Sequence, residues 1–286
     1  MKIVRTFATS ANLGPGFDCL GICFDLYNEY EFFLSNKYTI EGFSEKFSNP
    51  IDNLIVKSYE KVFLLKNKKI QFLTIRQKIQ NIPVSRGLGS SASCIVAGII
   101  MANEILGGIL SKDEIFQIAS MIEGHPDNVA PLIFGGFTCS FQEDKYHYIN
   151  LDVASNLQFF FLIPNFELST EVARASLPSC VLLEEVVSTL SHSILMVKAL
   201  EKGDFSLLKM AKKDLIHEPY RYQFIDPKKE MRKILEDYED IVGLISGAGP
   251  SILLISEQDI KNKFSIKNWQ LVSVKISNVG AYVYER

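Results

Sequence analysis

No excess of positive charge marks this chain: 30 Lys and Arg stand against 33 Asp and Glu, a formal net charge of −3 over 286 residues. That balance withholds the basic footprint that nucleic acid or an anionic membrane would select. Long apolar runs are missing too. The longest, residues 94–102, falls far short of the ~20 residues a membrane helix needs. Residues 1–6 carry two basic side chains and no following apolar stretch of signal-peptide length. Cysteine is scarce, five residues at 19, 23, 94, 139 and 180. Cys19 and Cys23 are four apart, but no second pair or neighbouring His completes a zinc set. Internal repeats and low-complexity linkers are absent. Together these absences predict a reducing cytoplasm, no membrane, no nucleic-acid partner and a small-molecule task.

What is present is a globular composition, 47% hydrophobic and 22% charged, which excludes a disordered or fibrous chain. The length suits two domains, and the order of elements suggests two α+β units joined at 145–160, written as 1–150 and 151–286. Stretches 27–34 and 70–79 read as strands. Residues 90–106 read as a helix apolar nearly all round, hence buried between layers. Ser111-Lys112-Asp113-Glu114 is a capping box opening a second helix that ends at Gly124. Further on, 159–163 reads as a buried strand, 182–200 and 205–216 as helices, and a charged helix follows Pro227. Stretches 242–246 and 252–255 flank a glycine turn, and 270–284 is strand-like.

Three glycine-bearing segments carry the chemistry. The first is Ala8-Thr9-Ser10-Ala11-Asn12-Leu13-Gly14-Pro15-Gly16-Phe17-Asp18 and the third is Ser246-Gly247-Ala248-Gly249-Pro250-Ser251. The middle one, residues 82–93, runs Pro83, Val84, Ser85, Arg86, Gly87, Leu88, Gly89 into a helix starting Ser90, Ser91, Ala92, Ser93. Glycines let backbone approach a ligand, and the free N–H groups and positive dipole end of a helix start favour an anion. No Walker A sequence occurs. Gly87-Leu88-Gly89-Ser90-Ser91-Ala92 fits the loose dinucleotide pattern, but the acid required about 20 residues on is not at a strand end. An ordinary helix cap is the other local reading.

In combination the three segments resemble the motifs of the GHMP kinases, the superfamily of galactokinase, homoserine kinase, mevalonate kinase and phosphomevalonate kinase. The likeness runs from Ala8 to Gly280. The first segment resembles the homoserine kinases in particular, although Phe7 stands where that family often has proline. Glu123-Gly124-His125-Pro126-Asp127-Asn128, Ser169-Thr170-Glu171-Val172-Ala173-Arg174 and His217-Glu218-Pro219-Tyr220-Arg221 resemble them as well. The resemblance implies a two-domain α+β fold, its N-terminal unit like ribosomal protein S5 domain 2 and its C-terminal unit ferredoxin-like. It implies transfer of the ATP γ-phosphoryl to the side-chain hydroxyl of L-homoserine, a step toward threonine. A GHMP kinase for a mevalonate-type alcohol and a non-catalytic ATP-binding sensor are the rival readings. A homodimer is the assembly to test.

The resemblance also implies roles. ATP would lie on 83–93 and near Asn53, and Mg²⁺ on Ser91 and Glu123, one hydroxyl and one carboxylate with phosphates completing the shell. Arg174 and Arg221 would take the homoserine carboxylate as guanidinium forks. Asn12, Asp18, His125, Asn128 and Thr170 would complete the acceptor pocket, with Asp18 toward the ammonium. Catalysis would rest on Asn128, Glu123 and Ser91. Mevalonate-kinase relatives carry an aspartate base near position 128, whereas an amide cannot remove a proton at neutral pH. Asp127 is the alternative base. His147, His192 and His217 have no ligand spacing and read as structural or surface residues.

Overall fold

The computed structural model of the chain describes residues 1–262 and 265–286. Two antiparallel-rich sheets organise it. The first combines β1 (Lys2–Ala11), β2 (Leu20–Leu34), β3 (Thr39–Glu41), β4 (Leu73–Gln80), β5 (Phe137–Gln142) and β6 (Tyr146–Leu151) with β11 (Tyr282–Glu285). Strand β2 has 15 residues, long enough to pair β4 along one half and β5 along the other. Among the described residues only β3 against β4 is parallel. The second sheet is β10 (Trp269–Val274), β7 (Gln158–Pro164), β9 (Ile252–Ser256) and β8 (Val242–Ile245) in that spatial order, antiparallel throughout. In chain order this is fourth, first, third, second, the strand order of a ferredoxin-like sheet. The fold is mixed α/β.

Helices cover the sheets where their patterns demand. After α1 (Glu45–Ser48), helices α2 (Leu54–Leu65), α3 (Ser90–Ile105), α4 (Lys112–Glu123) and α5 (Val129–Phe134) pack on one face of the first sheet. Helix α3 lies between β1 and the neighbouring helices, so its residues from Ala92 to Ala102 are buried on nearly every side except at Cys94. Gly98 permits this, because a Cβ there would meet the Ile55 carbonyl oxygen at 2.2 Å. The capping box of α4 forms as its sequence predicts, Ser111 and Glu114 exchanging hydrogen bonds.

Around the second sheet lie α6 (Thr170–Ala175), α7 (Leu183–Lys202), α8 (Phe205–Ala211), α9 (Glu218–Ile225) and α10 (Glu230–Glu236). Strand β7 is apolar without alternation because both its faces are covered. Phe159, Phe161 and Ile163 join a core with α7 and α8, while Phe160 and Leu162 join one with α9. The first of these cores also takes Leu20, Ile22 and Phe24 from the first sheet, with the Phe24 ring 5.0 Å from that of Phe161. One apolar layer therefore joins the two sheets.

Two elements differ from the sequence reading. The helix expected over 205–216 stops at Ala211, because the buried Asp214 carboxylate accepts the N–H groups of Ile216, His217 and Glu218 and starts α9 instead. The strand-like stretch 270–284 divides: β10 stays in the second sheet, and β11 returns to pair with β1. The chain crosses between them at Gly280, where a Cβ would sit 2.0 Å from the Ile133 carbonyl oxygen. No helix among the described residues is long and apolar enough to cross a membrane.

Candidate active site

The glycine segments converge on one cleft between the two sheets, lined from Asn12 and Asp18 through residues 84–91 to Arg221 and Gly247. At one end is the start of α3. Its N-cap is Gly89, in the left-handed region at φ 69°, and no side chain caps the helix. The contrast with α2 and α4 is sharp, since Asn53 and Ser111 supply side-chain caps there. The first turn of α3 thus presents free N–H groups, the dipole's positive end and two serine hydroxyls to the cleft. A Cβ on Gly89 would strike Thr9 Oγ1 at 2.0 Å, so only glycine lets the turn lie this close to β1. Gly87 is held likewise: a Cβ would meet the Ser246 carbonyl oxygen at 2.2 Å. Ser246 donates its hydroxyl to the Gly87 carbonyl, and Ser251 its N–H to Arg86. The third glycine segment is therefore the back wall of the second.

In the middle of the cleft, Ser91 donates its hydroxyl to Glu123 Oε2 at 2.7 Å. Burial pushes the Glu123 carboxyl above its ordinary pKa, and the Ser91 hydrogen bond works against that rise. His125 Nδ1 lies 2.6 Å from Asp127 Oδ1. Burial opposes charge on this ring, but the hydrogen bond and charge of Asp127 outweigh it, with Glu123 and Asp18 adding, and the pKa rises to about 9. His125 is an imidazolium at neutral pH. Asn128 receives the Thr9 hydroxyl on Oδ1 at 2.7 Å and gives one N–H of its amide to Asp127 Oδ1 at 3.4 Å, which leaves the other N–H to face a ligand. Such a group donates and cannot take a proton.

The other end is charged. Three successive left-handed residues, Asn12, Leu13 and Gly14, turn the chain sharply after β1. Asn12 fixes this turn from both sides, donating to the Gly247 carbonyl at 2.7 Å and accepting the Asp18 N–H at 2.9 Å. Asp18 and Arg174 form a two-point ion pair, 2.9 and 2.7 Å, with side chains 32% and 42% exposed. Arg221 is 1% exposed. Its Nη1 donates to the Gly247 carbonyl at 2.9 Å and lies 3.0 Å from His217 Nδ1, while its Nε has no partner. Burial and the neighbouring Arg174 lower its pKa to about 10, so it stays charged at neutral pH. A buried guanidinium with an idle N–H beside a cleft is fit for an anion.

Most of the residues expected from the sequence meet here. Ser85, Arg86, Leu88, Ser90, Thr170 and Val84 line the cleft with those already described. Pro83, Ala92 and Ser93 do not. Ala92 is core, and Ser93 bonds Thr6 Oγ1 at 2.6 Å with its N–H on Gly89. Asn53 lines the cleft, but its amide caps α2 and holds the Phe47 carbonyl. Arg86 points its guanidinium to the Pro164 and Val84 carbonyls and to Glu167. Sequence reasoning missed Thr9, buried behind Asn128, and the stacked rings of Tyr30 and Phe43 with Phe47, which wall the cleft beyond the glycine turn. It also placed His217 among the bland residues, whereas His217 is wholly buried against Arg221.

Comparison with known proteins gives the chain a family. The family model described as GHMP kinases N terminal domain matches residues 53–136. A homoserine kinase of Clostridium beijerinckii is 41% identical over 296 residues, covering 100% of this chain and 99% of the relative. One from Clostridium botulinum is 40% identical over 302 residues with the same coverage. Among solved structures, a homoserine kinase from Cytophaga hutchinsonii superposes with a TM-score of 0.86 at 28% identity, covering 99% of this chain and 97% of the other. A phosphomevalonate kinase of Streptococcus pneumoniae, solved with phosphomevalonate and AMPPNP, shares the fold at TM-score 0.73 and 16% identity, covering 96% and 100%.

Proposed function

The chain belongs to the homoserine kinase family of the GHMP kinases, and from that premise we propose how its cleft transfers the γ-phosphoryl of ATP to the side-chain hydroxyl of L-homoserine. The product is O-phospho-L-homoserine, an intermediate of threonine biosynthesis. The observation that carries the reading is a cleft with an uncapped helix start at one end and, at the other, a buried arginine whose Nε has no partner. The first suits phosphates and the second suits a carboxylate. A mevalonate-type acceptor has a carboxylate but no ammonium, and would make no use of the Asp18 charge beyond its pair with Arg174. All five cysteines are free, which fits a cytoplasmic enzyme.

In this reading ATP lays its triphosphate against the first turn of α3, with its base toward Tyr30, Phe43 and Phe47. Ser91 and Glu123 would hold Mg²⁺, a donor set of one hydroxyl and one carboxylate that leaves positions for phosphate oxygens and waters. When bound, the ion offsets charge on the transferring phosphates. Homoserine enters across the Asp18–Arg174 pair, its carboxylate toward Arg221 and Arg174 and its ammonium toward Asp18. Asn128 then donates to the acceptor hydroxyl oxygen and orients it, with His125 adding positive charge beside the transfer path. The carboxylates lining the cleft are engaged, Asp18 by Arg174, Glu123 by Ser91 and Asp127 by His125. The hydroxyl proton therefore passes to a γ-phosphate oxygen, and rate comes from alignment and electrostatics.

The test is ADP release from purified protein with Mg-ATP and a panel of L-homoserine, mevalonate and simple alcohols. Homoserine-dependent turnover with ³¹P NMR detection of the phosphate ester is the expected result. Turnover with mevalonate in preference, or ATP binding with no turnover on any alcohol, overturns the assignment.

A further inference from the structure

His217 is wholly buried and has a partner on each ring nitrogen. Nε2 faces the Gly14 carbonyl oxygen at 2.8 Å, so it carries the proton and donates. Nδ1 lies 3.0 Å from Arg221 Nη1, and a guanidinium has only donors, so Nδ1 must be the acceptor. The two bonds agree on a single neutral tautomer. Burial lowers the His217 pKa to about 4, with the Arg221 charge adding and the Asp214 carboxylate 3.7 Å from Nε2 opposing, so this tautomer persists at neutral pH. The ring also stacks on Phe17, centroids 5.3 Å apart, and Phe17 in turn has the Arg221 and Arg174 guanidinium carbons 5.3 and 5.5 Å from its own centroid.

The consequence lies in which edge of Arg221 is occupied. Both of its hydrogen bonds leave from Nη1, one to His217 and one to the Gly247 carbonyl. Nε is buried without a partner, and Nε with Nη2 forms the other edge of the same planar group. That edge carries two parallel N–H bonds, the fork that grips a carboxylate at two points. A guanidinium turned the other way would give its fork to Gly247 and offer the acceptor a single nitrogen.

We propose that His217 is a positioning residue: its Nδ1 acceptor and the Gly247 carbonyl lock Arg221 by Nη1 so that the Nε–Nη2 edge is presented to the carboxylate of the acceptor. His217 thus acts on substrate selection without touching substrate. It couples the Gly14 turn after β1 to the first turn of α9, two segments 203 residues apart at the contact. The inference rests on the reading of Arg221 as the carboxylate site.

Two substitutions separate the two ring nitrogens. In His217→Asn the side-chain oxygen can occupy the Nδ1 position and still accept from Arg221, while the tether to Gly14 is lost. In His217→Gln the amide nitrogen can occupy the Nε2 position and keep the Gly14 tether, while the Arg221 acceptor is lost. Both lose the ring on Phe17, so that loss cancels in the comparison. Steady-state kinetics on each, with Arg221→Leu and wild type alongside and thermal unfolding to check folding, read the outcome. The expected result is a homoserine KM at least ~10-fold higher in the Gln than in the Asn variant, with similar ATP KM in both. Equal homoserine KM values, or a worse Asn variant, overturn the positioning role and leave His217 a tether. An Arg221→Leu protein with normal homoserine KM overturns instead the carboxylate reading beneath it. If neither His217 variant folds, His217→Ala with 3-aminopropan-1-ol, which has no carboxylate, replaces them under partly stabilising conditions. Equal loss on this amine and on homoserine would then contradict the proposal.

Discussion

The two ends of the cleft are built on opposite principles. The phosphate end is backbone: a left-handed turn at Gly87 and Gly89, an uncapped helix and the serines that follow, all within residues 87–91. The acceptor end is side chain: Asn12, Phe17, Asp18, Arg174, His217 and Arg221, gathered from the turn after β1 and from α6 and α9. Triphosphate is common to every ATP user, and peptide N–H groups recognise it without charge chemistry of their own. Homoserine differs from other small alcohols through its carboxylate and ammonium, and only placed charges distinguish those. In the proposed reading ATP binding and acceptor specificity are divided between the ends, and substitutions at one should leave the kinetic constants of the other largely alone.

The largest expected effect tests the junction between them. Glu123→Gln keeps size and hydrogen-bonding capacity but loses the charge that would bind the ion, and kcat should fall on the order of 10²–10³-fold. Near-normal turnover at ordinary magnesium would remove Glu123 from the metal site. Next comes the contrast within the acceptor end. Arg221→Leu takes a buried charge from the pocket and should raise homoserine KM about 10²-fold with ATP KM little changed. Arg174 is half-exposed and already neutralised by Asp18, so Arg174→Leu should cost only about 10-fold by the same assay. A larger loss at Arg174 than at Arg221 would reverse the assignment of the main carboxylate fork.

The smallest effect concerns the support of the acceptor end. Glu218 is buried one helical turn from Arg221, its Oε1 receiving the Ile245 N–H at 2.8 Å. Burial raises its pKa from 4.5 to about 8, against the opposing pull of that hydrogen bond. The folded state therefore holds this proton more tightly than the unfolded chain. Its stabilising contribution is complete below pH 4.5 and declines as pH rises toward 8, on the order of a few kcal/mol at most. Glu218→Gln keeps the carbonyl acceptor and should flatten the fall of Tm between pH 5 and 8. An unaltered slope would show that Glu218 does not titrate in that window.

The same division decided what could be read from sequence. Residues 87–91 are contiguous, so glycines feeding a helix start announce an anion site through local rules, while the rival reading of an ordinary side-chain cap is settled only by the structure, which has none there. The capping box at Ser111 was legible for the same reason. Asn53 carried an equally local signal, an Asn before an apolar helix, and its amide does cap α2. At the acceptor end the partners lie far apart in the chain: Arg174 and Asp18 are 156 residues apart and His217 and Gly14 are 203. No periodicity links such pairs, and only the likeness to a known family joined them. His217 lies inside a segment that the likeness covers but drew no role from it, because a single buried histidine has no spacing pattern until its neighbours are known. Helix 205–216 failed through a competing side chain, Asp214, whose cap for α9 ends the apolar pattern early.

In the proposed reading the acceptor end recognises charge, through a buried arginine fork aimed at a carboxylate. Its most direct test is the ratio of kcat/KM for L-homoserine to that for 3-aminopropan-1-ol, the same molecule without its carboxylate, in wild type and in Arg221→Leu. The expected wild-type ratio is ~10³ or more, since a site built to pair a charged group rejects an analogue lacking it by far more than a hydrophobic pocket rejects a missing methylene. In Arg221→Leu the ratio should collapse by at least ~10²-fold, mainly through loss of homoserine efficiency. A wild-type enzyme that phosphorylates both acceptors equally well, or an Arg221→Leu protein that keeps the full preference, would contradict it.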